Sequence, residues 1–467
     1  MRITSLTASA STVGRLCEDI ARKATAFRPD AILWVSNNTS DPQAIARAFA
    51  DQCHASVGGI SQHGLVGGGR EYMTAASSMG DQHAVALALS LPSKGGGGAL
   101  PFHSDCEGLP HLPASAWEEF VAAPPAQSPN LLMLASPPAE GHFAIEHWLS
   151  RLDTALPWAR KVGGVTVGDS RLFVGETQHD GGAVGLALTG VEVDTLVCHG
   201  ALPFGPSFEI TAATGAMVRE LDGRPVGEVI GPLLQEVAAA QGAAAAVGGS
   251  GGGRVVATAA SDGNGATAPA AAAAASSLLE NVGIMAGITV PDRPAVAAAG
   301  AGNGGNGAGL SSSSSAATPS SPSSSSPSVV LRAITHYSEP SSVLGVGVCP
   351  EVLCAPGARL QLHTFSAANA REELTASAEA LARRSTSAGG LMVSCLGRGE
   401  ALYGEPGVET RALSSAMRRP LALAGMFCGG QIAPVGSRTF FHTYTTTVAM
   451  LGARRGRGAA ASAEASA

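Results

Sequence analysis

Apolar runs and stretches of helical spacing alternate along the chain, and they do so in one order three times. The first set opens with the apolar strand AILWVSNN (31–38). A helix follows behind Asp41-Pro42, with Ile45, Ala48, Phe49 and Gln52-Cys53 on one face, and then come VGGISQHG (57–64) and the strand AVALALSL (84–91). The second set runs from LLMLASPP (131–138) through a helix carrying Ile145, Trp148, Leu149, Leu152 and Leu156 to VGGVTVGD (162–169) and AVGLALTG (183–190). A looser third set comprises LMVSCLGRG (391–399), a helix with Leu413, Ala416 and Met417 in phase, LAGMFCGGQIAP (423–434) and TFFHTYTTTVAML (439–451). Ahead of them all, Val13, Leu16, Cys17, Ile20 and Ala24 recur at helical spacing behind a cap at Ser11. The pattern predicts an α+β fold of two domains, built from repeated strand-helix-Gly-Gly-strand units with mixed sheets.

Between about 238 and 328 the pattern stops, and Ala, Gly and Ser tracts with almost no charge replace it. Such a stretch buries too little surface to offset its ordering entropy, so it reads as a long disordered insertion. Inside it, LLENVGIMAGITVP (278–291) is apolar enough to dock as a short strand or helix. The end of the chain, 453–467, is also of low complexity and is expected to be a disordered tail.

Composition narrows the function. The net charge of −7 gives no broad basic surface, which argues against nucleic acid as a partner. No apolar run approaches the roughly 18 to 20 residues of a membrane-spanning helix, so no membrane partner is expected. Early arginines among Ser, Thr and Ala give the N-terminus the composition of an organelle transit peptide. Its helical periodicity favours folded structure and a cytoplasmic location, with an organelle as the alternative. The eight cysteines form no CxxC pair and no histidines stand at zinc spacing; a reduced compartment without metal or cofactor follows.

Candidate chemistry centres on the paired glycines Gly58-Gly59, Gly163-Gly164 and Gly429-Gly430, placed near strand ends. Glycine serves where backbone must turn sharply or come close to a ligand, and loops from related units would converge on one cleft. Tight strand packing is the competing explanation. GLVGGGREYM (64–73) lacks the pattern of a phosphate loop, and Arg70 with Glu71 reads as an ion pair tying that loop. Asp169 follows the glycines of the second set, where its carboxylate could take an ammonium group or cap a turn. Arg398 stands three residues after Cys395, positioned to clamp a carboxylate or to lower the thiol pKa. His63 and His442 can line the same space. Asp222-Gly223 marks a turn, with Pro225 opening a helix through Ile230.

Five segments give the chain a family resemblance: VGGISQHGLVGGGRE; VGGVTVGDSRLF with GGAVGLALTGVEV; CHGALPFGPSFEIT with VRELDGRPVGEVI; GGLMVSCLGRGEALYG; and LAGMFCGGQIAPVGSRTFFHTYTTTVAML. In that order they resemble the FIST family, named for F-box and intracellular signal transduction proteins. The resemblance implies a FIST N-terminal domain over 1–218 and a FIST C-terminal domain over 219–452, split by the insertion and without an F-box ahead of the first strand. It also implies a non-catalytic sensory protein that binds a small ligand, an amino acid or related metabolite. The glycine amides and Arg398 would hold the carboxylate, and Asp169 the ammonium. Where the family usually carries Gly-Glu-Ile-Gly-Pro, this chain has Gly430-Gln431-Ile432-Ala433-Pro434, so Gln431 brings hydrogen bonds but no charge. Two other readings stand beside this one: an adaptor related to the F-box substrate receptors of ubiquitin ligases, meeting protein partners through 238–328, and a thiol enzyme acting through Cys395.

Overall fold

The computed structural model describes residues 1–37, 40–73, 82–92, 97–137, 144–168, 171–234, 236, 283–289, 329–338, 343–347 and 354–454. They form a mixed α+β fold of four sheets, three of which share one plan. In the first, Arg2–Ala10 pairs antiparallel with Gln82–Ser90, and Gln82–Ser90 with Ala31–Ser36; Ala31–Ser36 runs parallel to Ala55–Ile60. The second repeats this with Gly98–Ser104, Gly182–Thr189, Asn130–Ser136 and Lys161–Val165. The third uses Val191–Cys198, Thr446–Ala453, Gly389–Cys395 and Ala422–Cys428.

Each sheet is closed by a hairpin from elsewhere in the chain. Gly64–Gly67 with Arg70–Met73 leaves the first stretch and joins the third sheet. Leu172–Val174 with Thr177–His179 leaves the second and joins the first. Gly430–Val435 with Arg438–His442 leaves the third and joins the second. The exchange is cyclic, and every hairpin covers the open edge of a parallel strand that would otherwise expose a row of unpaired amides and carbonyls.

Packing follows from this arrangement. The inner faces of the three sheets meet in one core, to which Leu33, Val85, Leu134, Leu186, Val393 and Met426 contribute. Helices cover the outer faces. Val13–Phe27 buries Leu16, Ile20 and Ala24, and Pro42–Ala50, capped by Asp41 through the Ala44 N–H at 3.0 Å, buries Ile45 and Phe49. Ile145–Ala155 sets Trp148, Leu149 and Leu152 on the second sheet, while Ala367–Arg384 and Val408–Ala416 cover the third. The N-cap of the first helix is Thr12 rather than Ser11, with no side-chain cap bond.

The fourth sheet is inserted between Val191–Cys198 and the helix Ala367–Arg384. Its order is Ala201–Thr214, Arg359–Phe365, Ile284–Thr289, Val329–Ser338, Val343–Val346, Met217–Leu221 and Arg224–Pro225. The expected turn is present: Asp222 and Gly223 both have positive φ, 50° and 72°, and helical residues 226–234 follow. Within the 238–328 stretch, the 278–291 segment docks as a strand, as its apolar composition allowed: Ile284–Thr289 lies in the middle of this sheet with Ile284, Met285, Ala286 and Ile288 buried. The rest of that stretch and the tail beyond 454 lie outside the described residues.

Two expected strands of the third set prove to be pairs. LAGMFCGGQIAP divides into Ala422–Cys428 and Gly430–Val435, and TFFHTYTTTVAML into Arg438–His442 and Thr446–Ala453. Each division falls where the chain crosses between the second and third sheets. The glycine pairs are not equivalent either: Gly58-Gly59 and Gly163-Gly164 lie inside parallel strands, whereas Gly429-Gly430 begins a hairpin.

Close packing explains these glycines. A Cβ on Gly58 would lie 2.2 Å from the Trp34 indole, and one on Gly163 2.1 Å from the Met133 carbonyl oxygen. Gly58→Val is therefore expected to cost ~1–3 kcal/mol or more, as overpacking does. Gly14→Ala, in the first helix where nothing stands within 4 Å, is the uncrowded comparison and should keep or slightly raise stability. Urea unfolding of both variants checks this; equal midpoints would show that the sheet yields without strain.

Candidate functional site

The parallel pair of the third sheet ends with Cys395 beside Cys428. Past Cys395 the chain turns, and the fully buried Arg398 points back into the molecule. Its Nε donates to Glu409 at 2.7 Å, and its Nη1 to the carbonyls of His199 at 3.2 Å and Tyr444 at 3.1 Å. Its Nη2 donates to the Tyr403 hydroxyl at 2.8 Å and to the Cys198 sulfur at 3.7 Å. Those are the five N–H groups of a guanidinium, so every donor of Arg398 is held by the chain itself. Glu409 is equally engaged: it also accepts from Ser394 at 2.7 Å, Thr446 at 2.6 Å and Tyr403 at 3.2 Å. Burial works against the charge on Arg398, but Glu409 outweighs it and holds the guanidinium pKa above its ordinary value.

The first unit's hairpin reaches this network. The expected ion pair between Arg70 and Glu71 gives way to a helix cap, in which the Glu71 carboxylate accepts from the backbone N–H of Gly407 at 3.0 Å and of Glu409 and Thr410 at 3.2 Å each. Burial and the Glu409 charge raise the Glu71 pKa, and the three amides limit the rise.

Several residues chosen from sequence come together here. Gln431, its amide oriented by its partners, donates to the carbonyls of Thr445 and His442 and accepts from the Cys395 N–H at 3.2 Å. The Cys395 thiol is pushed up by burial, which backbone hydrogen bonds at Gly397 and Tyr444 and the Arg398 charge only partly offset, so it lacks the thiolate character a nucleophile needs. The Arg398 donors expected to clamp a carboxylate are already taken. The glycine pairs face filled space rather than a hollow: Gly164 meets Met426 and Cys428, Gly429 meets Val167, Gly430 meets the Phe441 ring and Gly59 meets Leu172. His63 precedes the Gly64–Gly67 strand, where burial lowers its pKa. Asp169 lies outside the described residues.

Sequence reasoning missed the residues that complete the centre. His199 follows the strand Val191–Cys198, and its backbone N–H donates to Glu373 at 3.1 Å. Gly200 follows at φ +76°, where a Cβ would stand 2.8 Å from both Ala370 and the Arg398 Nη1. The His199 ring lies 5.5 Å from that of His442. Among the described residues, His199 Nε2, His442 Nδ1 and Thr443 Oγ1 are buried atoms without a hydrogen-bond partner. Burial, reinforced by nearby cationic groups, drives the His199 pKa down to about 3 and that of His442 well below its usual range, so both imidazoles are neutral near pH 7. Opposite them, Arg332 of the fourth sheet pairs with Glu146 of the helix Ile145–Ala155 and joins sheet to body. CHGALPFG held His199 in plain view, but a single histidine in a family-like segment carries no chemical signal of its own.

Fold and site together define a mixed α+β protein whose N- and C-terminal stretches interlock around a buried polar junction. Residues 30–224 match the FIST N domain and residues 326–434 the FIST C domain; the chain belongs to the FIST family. Family domains of this kind are associated with signal transduction and sensory roles. The chain is 25% identical over 318 residues to the uncharacterized protein Rv0628c of Mycobacterium tuberculosis, covering 66% of this chain and 64% of that protein. It is 24% identical over 305 residues to the uncharacterized protein Mb0898c of Mycobacterium bovis, covering 64% and 62%. It thus spans just under two thirds of the length of these relatives. No helix among the described residues is long and apolar enough to cross a membrane.

Two outcomes follow. Arg398→Met strands the Glu409 charge and is expected to cost ~3–5 kcal/mol, whereas adding Glu409→Leu removes that charge and recovers part of the loss, the Ser394, Thr446 and Tyr403 hydroxyls being left without their acceptor. Urea unfolding of the single and double variants decides it, and a double variant no better than the single would deny the coupling. The second outcome concerns pH. Burial raises the Glu146 pKa from 4.5 to about 7, outrunning the pull of Arg332. The folded state then binds the extra proton, and this contribution is full below about pH 4.5 and lost as pH rises through about 7. The stability of the protein relative to Glu146→Gln should fall across that window; a rise would mean that the ion pair outweighs burial.

Proposed function

We propose that this protein is a non-catalytic sensory module of signal transduction that binds a small ligand, an amino acid or related metabolite. The observation that supports this reading is the joining of FIST N and FIST C domains around a junction whose buried imidazole and hydroxyl atoms have no hydrogen-bond partner among the described residues. Polar atoms on an otherwise packed wall are the usual form of a small-molecule site. The reading includes a FIST N-terminal domain over 1–218 and a C-terminal domain over 219–452, folding as one body because they share sheets. It treats the three strand-helix-Gly-Gly-strand segments as copies of one ancestral unit. Asp169 is a candidate for the ligand's ammonium group, and the location is the cytoplasm. Protein partners would meet the 238–328 stretch.

Thermal unfolding of the full chain with each standard amino acid tests the reading. A ligand at about 100 times its Kd adds ~2.7 kcal/mol to the folded state, so at least one amino acid should raise Tm in a concentration-dependent way. No rise with any of them removes amino acids as the ligand class.

A further inference from the structure

The strand Arg2–Ala10 is the outermost of the first sheet, pairing with Gln82–Ser90 on one side and with no strand among the described residues on the other. In an antiparallel pair, alternate residues turn both backbone groups toward the neighbour and the rest turn them away. The Thr7 carbonyl accepts from Lys23 Nζ, so Ile3, Ser5, Thr7 and Ser9 form the outward set. An open edge of this kind is a template for a further strand. The matching edge of the second sheet is taken up in part by its own chain, where the His111 N–H donates to the His103 carbonyl at 2.7 Å.

Two cavities line the edge of the first sheet. One of about 430 Å³ lies between Thr4 and Leu6 of the strand and Arg22, Lys23 and Phe27 of the overhanging helix Val13–Phe27. The other, of about 250 Å³, continues past Thr7 and Ser9 to Tyr72 and His83. Lys23 borders both, and its ammonium group on the Thr7 carbonyl divides them. The groove thus follows the strand from Thr4 to Ser9, a span of roughly 20 Å in an extended chain. Its rim is cationic. Arg2 covers the Phe27 ring at 5.1 Å, and Arg22 and Lys23 share the carboxylate of Asp19, Lys23 at 2.6 Å. Arg2, Arg22 and Lys23 against Asp19 alone leave positive charge for a partner to meet. Two copies of this edge laid together across a two-fold axis would bring those cations face to face, which disfavours a second copy of the chain as occupant.

We propose that this edge docks an extended acidic segment of a partner protein, which adds to the first sheet as a further strand beside Arg2–Ala10. A backbone N–H of the partner takes the Thr7 carbonyl, and the displaced Lys23 ammonium pairs with a carboxylate on the incoming strand. Main-chain bonds supply affinity, and the cationic rim supplies choice of partner. The inference goes beyond the small-ligand reading and places a protein contact on the folded body rather than in 238–328.

Selection of random heptapeptides, displayed on phage, against the full chain tests it. Enriched sequences should carry Asp or Glu, and a synthetic copy of the strongest should bind about tenfold more weakly when its acid is replaced by the amide. Lys23→Gln should weaken the acidic peptide by a similar factor and leave the amide version unchanged, because both changes remove one contact. Ser9 is exposed, and Ser9→Pro removes an outward N–H while sparing the bonds to Gln82–Ser90; an edge strand tolerates proline there, and both peptides should lose about tenfold. No enrichment, enrichment without acids, or binding indifferent to Ser9→Pro overturns the proposal. So does a dimer in sedimentation that Ser9→Pro dissolves, which gives the edge to a second copy. Should Ser9→Pro fail to fold, hydrogen exchange across residues 2–10 of the unaltered protein decides: slowing on addition of the peptide supports the docking, and unchanged exchange overturns it.

Discussion

The cyclic exchange of hairpins is the constraint on which the rest of the molecule depends. Each of three sheets contains a parallel strand whose outer edge is closed by a hairpin from another part of the chain. No sheet can be completed alone, and the shared core forms only when all three are in place. A chain built this way gains cooperativity from topology, since removal of one hairpin opens one sheet and strips its neighbour of a connection. Long-range pairing of this kind carries a loop-closure cost before its contacts form, and it is intrinsically slow.

The same exchange places the charges. Glu71 reaches the N-terminus of Val408–Ala416 only because its hairpin belongs to the third sheet, and Thr439 reaches Asp153, at 2.8 Å through its hydroxyl, only because its hairpin belongs to the second. Asp153 in turn pairs with the buried Lys161 at 2.9 Å. Buried ion pairs add little net stability, but removal of one partner is costly, and this asymmetry makes them effective markers of register. Arg398 and Glu409 act in this sense. They hold together the turn after Cys395, the end of Val191–Cys198 and the 444–446 segment, three pieces that no local sequence rule connects.

What the sequence made legible is what periodicity encodes. The helices behind Asp41 and around Trp148 follow from apolar spacing, and the turn at Asp222-Gly223 from residues that tolerate positive φ. Strands that change sheets were hidden, because an apolar run looks the same whichever sheet receives it; TFFHTYTTTVAML shows this, with its break at Thr443–Thr445. Arg398 was visible as a cation beside glycines, but its partners are an acid eleven residues on and carbonyls 46 and 199 residues away. The glycine pairs carried a correct signal of close approach, but its object is Trp34, Met133 and Phe441. Backbone freedom and side-chain crowding leave the same residue in a sequence, and only neighbours distinguish them.

The fourth sheet has a core of its own, with Ile210, Leu221, Ile288, Leu344 and Leu360 buried in it, and it is joined to the body by adjacent covalent links. Across the seam between them run the Arg332 to Glu146 pair and the contact of Phe440 with that core. A seam of this composition differs from the interior of the body, where apolar side chains such as Leu33, Val85, Leu134, Leu186 and Val393 meet. Apolar packing has no directional preference, whereas an ion pair and unpartnered imidazoles favour particular geometries and particular neighbours. Any two-state behaviour that a sensory protein requires is therefore better housed at this seam than in the three-sheet core, where a change at one hairpin would have to pass through every sheet.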